Sequence, residues 1–204
     1  MLYTTTIAAD TLELLKELMK KPYLKGFNLV GGTSLSLQLG HRISYDLDLF
    51  CTDPFDTLEL KTQLSEDFPI FQVEMERTNS LITTINNTKV DFIRFRYEFS
   101  YPLIMEGKIR MVNIKDIAPM KIDAISGRGK KKDFFDLYFL LKLFTLPELL
   151  TLYQEKYKHT TIFHIIKSIN YFDDAEIEND PIVVDRKVTW LKVKKTIIKE
   201  IQKL

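Results

Sequence analysis

The sequence predicts an α+β fold, with helices and short strands mixed in the N-terminal half and helices alone in the C-terminal half. Three observations carry this. Apolar residues alternate at the strand period in several short runs before about residue 111, and they recur at helical spacing after it. No repeat, low-complexity tract or long linker interrupts either half, so we divide the chain into domains at 1–112 and 113–204. A chain of 204 residues, 45% hydrophobic and 12% aromatic, can fill a sizeable core, which excludes wholesale disorder.

The elements follow in order. Leu12, Leu15, Leu18 and Met19 share one helical face, so residues 10–20 read as an amphipathic helix closed by Lys21-Pro22. Residues 27–30 form a short apolar strand that runs into Gly31-Gly32. Thr33 and Ser34 are expected to cap the next helix, which ends at Gly40. Residues 45–50 alternate polar and apolar side chains, the strand period. Residues 55–64 read as a helix, and 69–76, 80–86 and 89–97 as strands, the last two joined by a turn at Asn86-Asn87.

Beyond Met111, residues 115–126, 132–145, 147–157 and 160–170 favour helix. Residues 173–185 then carry six acids and no base, whereas residues 186–204 carry seven bases and one acid. Trp190, Val193, Ile197, Ile201 and Leu204 fall on one stripe, so the last stretch reads as an amphipathic helix with a solvated lysine face.

Composition narrows the function classes. With 29 Lys+Arg against 28 Asp+Glu, the chain has no uniformly basic coat, though a local basic patch remains open. The single Cys51 excludes an intramolecular disulfide and a multi-cysteine zinc site; it fits a reducing compartment and reads as inert. No window approaches the ~18 apolar residues of a membrane span, and the N-terminus lacks the pattern of a signal peptide. The expected location is the cytoplasm, with no membrane partner.

The stretch LVGGTSLSLQLGHRISYDLDLF, residues 29–50, carries the chemistry. On a strand, Asp46 and Asp48 project to one face while Leu47 and Leu49 enter the core. Two neighbouring carboxylates repel unless a cation lies between them, and a hard divalent ion such as Mg²⁺ suits oxygen donors. Upstream, Gly31 and Gly32 allow close backbone approach, and the N–H groups of Thr33 and Ser34 open a helix whose positive end suits phosphate. A phosphate cradle beside a metal-binding acid pair is equipment for a nucleoside triphosphate.

The spacing fits the DNA polymerase beta-like nucleotidyltransferase superfamily: Val30-Gly31-Gly32, thirteen residues, then Asp46-Leu47-Asp48-Leu49. A closer resemblance is to the AbiEii/AbiGii toxin family of nucleotidyltransferases. It rests on Gly31-Gly32-Thr33, on the run from His41 and Arg42 through Ser44 to Asp48, on Lys121 through Ala124 to Arg128, and on Lys132-Asp133 with Asp136. These blocks lie within residues 28–50 and 116–142.

The resemblance implies a nucleotidyltransferase-type mixed sheet with flanking helices, followed by a C-terminal helical bundle that completes the nucleotide site. It also implies transfer of a nucleotide from NTP, dependent on Mg²⁺ (or Mn²⁺): an acceptor hydroxyl attacks the α-phosphate in line and pyrophosphate leaves. Asp46 and Asp48 would hold the metals. A third carboxylate comes from a later strand, for which Asp91 is the best candidate and Glu74 and Glu76 are rivals.

Lys121 and Arg128, seven apart on one helix face, would reach the triphosphate, with Asp133 or Asp136 orienting one of them. Arg42 is positioned to pair with Asp48 or with a phosphate, and Ser44 to bring its hydroxyl near the metal, while His41 reads as a packing or hydrogen-bonding residue. Lys130, Lys131 and Lys132 are a candidate clamp for an RNA backbone. The implied partners are a tRNA acceptor, modified at its 3′ end, and a cognate antitoxin protein. Two other readings stay open: transfer to a small molecule or protein hydroxyl, and a non-catalytic nucleotide-binding relative.

Overall fold

In the computed structural model, which describes residues 2–158 and 160–204, the chain separates into two units. One contains the chain up to Gly40 together with Ser44–Asn113; the other contains His41–Ile43 and Ile114–Leu204. The tripeptide 41–43 thus belongs with the helices, which no shift in composition announces.

In the first unit, α1 (Ala9–Leu18) turns Leu14, Leu15 and Leu18 inward. The fully buried β1 (Asn28–Val30) runs directly into α2 (Gly31–Leu39), which ends where Gly40 adopts the left-handed conformation at φ +66°. β2 (Leu47–Cys51) buries Leu47, Leu49 and Cys51 on one face and leaves Asp48 and Phe50 on the other. α3 (Thr57–Asp67) is capped by the Asp56 carboxylate, which accepts hydrogen bonds from the backbone N–H groups of Leu58 and Glu59.

β3 (Phe71–Arg77), β4 (Ser80–Ile85) and β5 (Thr88–Arg94) form a meander. Asn86 and Asn87 turn the second hairpin with φ of 47° and 62°, a conformation asparagine tolerates. A last hairpin, β6 (Ile104–Glu106) and β7 (Ile109–Met111), escaped the sequence reading, because strands of three residues show too little alternation to register.

Among the described residues the seven strands form one mixed sheet in the order β3-β4-β5-β2-β1-β7-β6. β2 pairs antiparallel with β1 but parallel with β5, so the acid-bearing strand lies inside the sheet. Leu47, Leu49, Leu81, Ile85, Val90 and Phe92 share a core with Leu14, Leu15 and Leu18 of α1 and Leu60 and Leu64 of α3. Burying such side chains stabilises by roughly 1.5–3 kcal/mol each and fixes the strand register, since a one-residue slip would send them to the other face. Arg110 ties β7 to the loop before β1, donating to the carbonyls of Met19, Leu24 and Phe27 at 3.0, 2.9 and 3.1 Å.

In the second unit, α4 (Ile114–Arg128) runs through Pro119 and past Gly127, and stops only where Gly129 takes φ +56°. α5 (Lys131–Leu140) ends five residues before the expected boundary at 145. α6 (Leu146–Lys156) starts with a reciprocal cap between Thr145 and Glu148. α7 (Ile162–Ile169), the short α8 (Asp173–Glu176) and α9 (Trp190–Ile201) follow. Phe134, Phe135 and Phe172 surround Trp190 with ring centroids 5.7, 5.9 and 5.8 Å away. On α9, Trp190, Val193 and Ile197 are buried, but Leu204 lies beyond the helix and is exposed, so the apolar stripe is shorter than read.

Residues 182–184 pair with 41–43: Ile43 N–H donates to Ile182 O at 2.8 Å and Val184 N–H to His41 O at 2.9 Å.

Candidate active site

The acid pair and the glycines meet through strand register. Val30 lies opposite Asp48 across the β1–β2 pair, and Asp48 opposite Asp91 across the parallel β2–β5 pair. Paired residues point to the same face with backbones ~4.8 Å apart, so Asp48 and Asp91 stand side by side, next to the start of α2. Asp46 lies one residue before β2 begins, in the loop and not within the strand that carries Asp48.

Gly31 is indispensable to this arrangement. Its φ is +69°, and a Cβ built on it would lie 2.0 Å from Asp48 Oδ2. Only glycine admits both the conformation and the carboxylate.

The helix starts earlier than the sequence suggested. Gly31 is its first residue and Val30 its N-cap, with no side-chain cap. Thr33 and Ser34 therefore do not cap it; both are buried inside the first turns. The Thr33 hydroxyl donates to Asp46 O and lies 2.8 Å from Ser44 Oγ, latching the loop that carries Asp46 onto α2. Ser34 Oγ accepts from Gln38 Nε2 at 3.0 Å, and that amide also donates to Val112 O at 3.0 Å. Ser44, expected on the strand face beside a metal, lies outside the strand and serves this latch, while its N–H donates to Thr6 O.

Lys89 was not singled out from the sequence. It lies two residues before Asp91 on the same strand face, with Nζ 3.2 Å from Asp91 Oδ2. Asp91 itself is only 13% exposed at its side chain. The signal was present as Lys-x-Asp on an alternating strand. Of the rivals to Asp91, Glu76 is tied to Lys61 of α3 at 2.7 Å and Glu74 accepts from Thr84 Oγ1 at 3.1 Å.

The donor set is all hard oxygen. Among the described residues no three His, Cys, Asp or Glu side chains converge as a metal cage. Mg²⁺ ordinarily takes one or two carboxylates and completes its octahedron with phosphate oxygens and water, so the neighbouring Asp48 and Asp91 match that demand. The absence of a Cβ at Gly31 is what lets the Asp48 carboxylate occupy its place there.

The helical unit holds a separate network of buried charge. Asp136, with a fully enclosed side chain, takes His41 Nε2 and Arg42 Nε at 2.7 Å on Oδ1, and Arg42 Nη2 at 3.0 Å and Lys121 Nζ at 2.7 Å on Oδ2. Asp133, equally enclosed, takes Lys121 at 3.1 Å and both arms of Arg128 at 2.8 and 3.0 Å.

Three corrections follow. Arg42 pairs with Asp136, where the sequence suggested Asp48 or a phosphate. Lys121, expected to reach the triphosphate with one acid orienting it or Arg128, is 6% exposed at its side chain and enclosed by both Asp133 and Asp136. Arg128, by contrast, is 49% exposed. Lys131, the middle of the expected RNA clamp, is buried: it donates from Nζ to Glu178 O, pairs with Asp180 at 3.2 Å and lies 5.3 Å over the Trp190 ring. Lys130 is exposed and Lys132 half-buried, so the three lysines do not act as one patch.

Electrostatics sets the protonation states. Burial pushes Asp136 upward, but Arg42, Lys121 and His41 overcome it and hold the carboxyl well below the usual range; Lys121 and Arg128 do the same, less strongly, for Asp133. Burial would lower Lys121, yet the two aspartates raise it above its ordinary value. For His41 burial dominates and lowers the pKa, so the neutral ring donates Nε2–H to Asp136 and leaves Nδ1 as a buried acceptor without a partner. Cys51 is pushed up to about 11 by burial, which keeps it a thiol.

The fold is shared with solved structures, a nucleotidyltransferase toxin among them. JHP933 from Helicobacter pylori superposes with a TM-score of 0.56 at 18% identity, covering 97% of this chain and 94% of its own. MenT4, a nucleotidyltransferase toxin of Mycobacterium tuberculosis, gives 0.54 at 15% identity, covering 95% and 84%. An uncharacterized protein of Aquifex aeolicus is 34% identical over 176 residues, 81% of this chain and 83% of that one. Residues 13–202 match the model of the nucleotidyl transferase AbiEii toxin family, a type IV toxin–antitoxin system, and the chain belongs to that family. It is accordingly a nucleotidyltransferase of the toxin class, and membership implies an antitoxin partner. No helix among the described residues is long and apolar enough to cross a membrane.

Proposed function

We propose that the protein transfers a nucleotide from a nucleoside triphosphate to the 3′ end of tRNA in the cytoplasm, using Mg²⁺ or Mn²⁺, and that a cognate antitoxin counters it. The observation that carries this reading is the row in which Asp48 and Asp91 stand in register beside Gly31.

In this reading the uncapped first turn of α2 offers the N–H groups of Gly31, Gly32 and Thr33 to the phosphates. Asp46, Asp48 and Asp91 would hold the divalent ions, which supply charge neutralisation on the triphosphate and lower the pKa of the attacking hydroxyl. Lys89 orients Asp91, and the Thr33 latch fixes Asp46. Within the helical unit, Arg128 is better placed than Lys121 to meet a phosphate, because its guanidinium is half exposed. Blocking tRNA 3′ ends would stop aminoacylation and hence growth.

The test has two arms. Purified protein incubated with each labelled triphosphate and total tRNA should label tRNA only with Mg²⁺ or Mn²⁺ present. Induction without antitoxin should arrest bacterial growth, and Asp48→Ala should relieve the arrest. Normal growth with no label in any tRNA would shift the acceptor to a small molecule or a protein hydroxyl. Metal-independent transfer, or full activity in Asp46→Ala, would remove the two-metal reading.

A further inference from the structure

The outer face of α9 carries a row of cations that the fold leaves unmatched. Lys192, Lys195 and Lys199 are exposed and stand at i, i+3 and i+7, so they share one side of the helix and rise about 4.5 and 6 Å from one to the next. None of the three makes an ion pair among the described residues, whereas Lys194, between them in sequence, pairs with Glu176, and Lys203 pairs with Glu200.

Acids are close in sequence but engaged elsewhere. Glu176 also accepts from Trp190 Nε1 at 3.0 Å, Glu178 from Lys131 N–H at 2.7 Å, and Asp180 pairs with Lys131. Like charges at this spacing cost helix stability, so the row is a standing expense unless an anion completes it. Thr189, Thr196 and Leu191 join the three lysines around an open depression of about 300 Å³.

We propose that this face of α9 binds the sugar–phosphate backbone of the RNA acceptor, an inference that rests on the RNA reading above. Lysine ammonium groups on flexible stems neutralise phosphates without reading bases, and threonine hydroxyls are common donors to phosphate oxygens. The contact is therefore sequence-independent and sets acceptor affinity, not nucleotide choice. A membrane surface is the poorer occupant. The continuous apolar side of α9, Trp190, Val193 and Ile197, is buried in the protein, and the exposed Leu191 and Ile198 stand two turns apart among lysines, too little apolar surface to enter a bilayer.

The experiment uses the full chain as wild type, as the triple variant Lys192→Gln/Lys195→Gln/Lys199→Gln, and as Lys194→Gln. Affinity for total tRNA is measured against salt, alongside triphosphate affinity, thermal midpoint, and binding to vesicles of anionic phospholipid. We expect the triple variant to lose at least tenfold in tRNA affinity at low salt and about two to three units of the log–log salt slope. Triphosphate affinity and thermal midpoint should be unchanged. Lys194→Gln should bind tRNA nearly as wild type does, and Lys→Arg at all three positions should restore binding.

If the wild type labels tRNA and the triple variant keeps the same affinity and slope, the α9 inference falls and the transfer reading stands. If the wild type neither binds nor labels RNA, the acceptor reading falls and takes this one with it. Lysine-dependent binding to vesicles without binding to tRNA overturns it in favour of a membrane.

Discussion

Gly31 shows how much one residue decides. Any larger residue there meets Asp48 and must also hold a left-handed φ of +69°, which costs an L-residue about 1–2 kcal/mol. Gly31→Ala is expected to lower transfer about 100-fold by displacing the carboxylate, because ~1 Å of misplacement in a reacting centre costs that much. Circular dichroism should show the fold retained; full activity would detach Gly31 from the site. Lys121 behaves oppositely. Removing it takes the shared cation from two buried carboxylates and leaves Asp133 to Arg128 and Asp136 to Arg42 and His41. Breaking a buried pair costs up to about 3–5 kcal/mol, so Lys121→Met should unfold earlier in denaturant. Arg128→Ala, at a half-exposed position and with Lys121 still holding Asp133, should lower the denaturation midpoint less than Lys121→Met does while lowering triphosphate affinity.

At the scale of elements, the junction of α2 with the loop before β2 positions Asp46. The Thr33 hydroxyl reaches Asp46 O and Ser44 Oγ from the first turn of α2, so helix and acid loop move as one piece. Thr33→Val keeps the shape but removes the donor, at a cost of about 1–2 kcal/mol for the lost hydrogen bond. Its transfer rate should fall more than its stability suggests, and Thr33→Ser should recover most of the rate. Equal rates in Thr33→Val and wild type would make the latch incidental. The tripeptide 41–43 is held by different means, a backbone pairing with 182–184 and the His41 and Arg42 bonds to Asp136.

For the whole molecule, the buried charges predict how stability follows pH. Asp133 and Asp136 have folded pKa values below their unfolded ones, so their stabilisation is present above about pH 4 and is lost as pH falls through the folded values. His41 is also lowered, so the folded state resists its protonation and stability starts to decline as pH falls below about 6.5. Lys121 is raised, and its contribution holds through neutrality and fades only as pH rises through its folded value, above about 10.4. Thermal midpoints should therefore form a plateau from about pH 7 to about 9, where the unfolded Cys51 thiol begins to ionise, with a shallow acid decline that steepens below about pH 4. His41→Gln should flatten the stretch between pH 4 and 6.5 relative to wild type.

What the sequence determined by itself was local. Strand and helix periods, the asparagine turn and the spacing from Gly31 to Asp46-Leu47-Asp48 all lie within short windows, where backbone geometry alone sets which side chains share a face. The pairing of β2 with β5 was not local. It puts Asp91 beside Asp48 by burying Leu47, Leu49, Val90 and Phe92 together, and only the packed sheet chooses that register. The same holds for Lys121, Arg42 and Lys131. Each reads as an available cation in the chain, and each loses that freedom when folding buries it against a carboxylate from a distant segment. A charge leaves water only for a partner, and the partner is settled by tertiary structure.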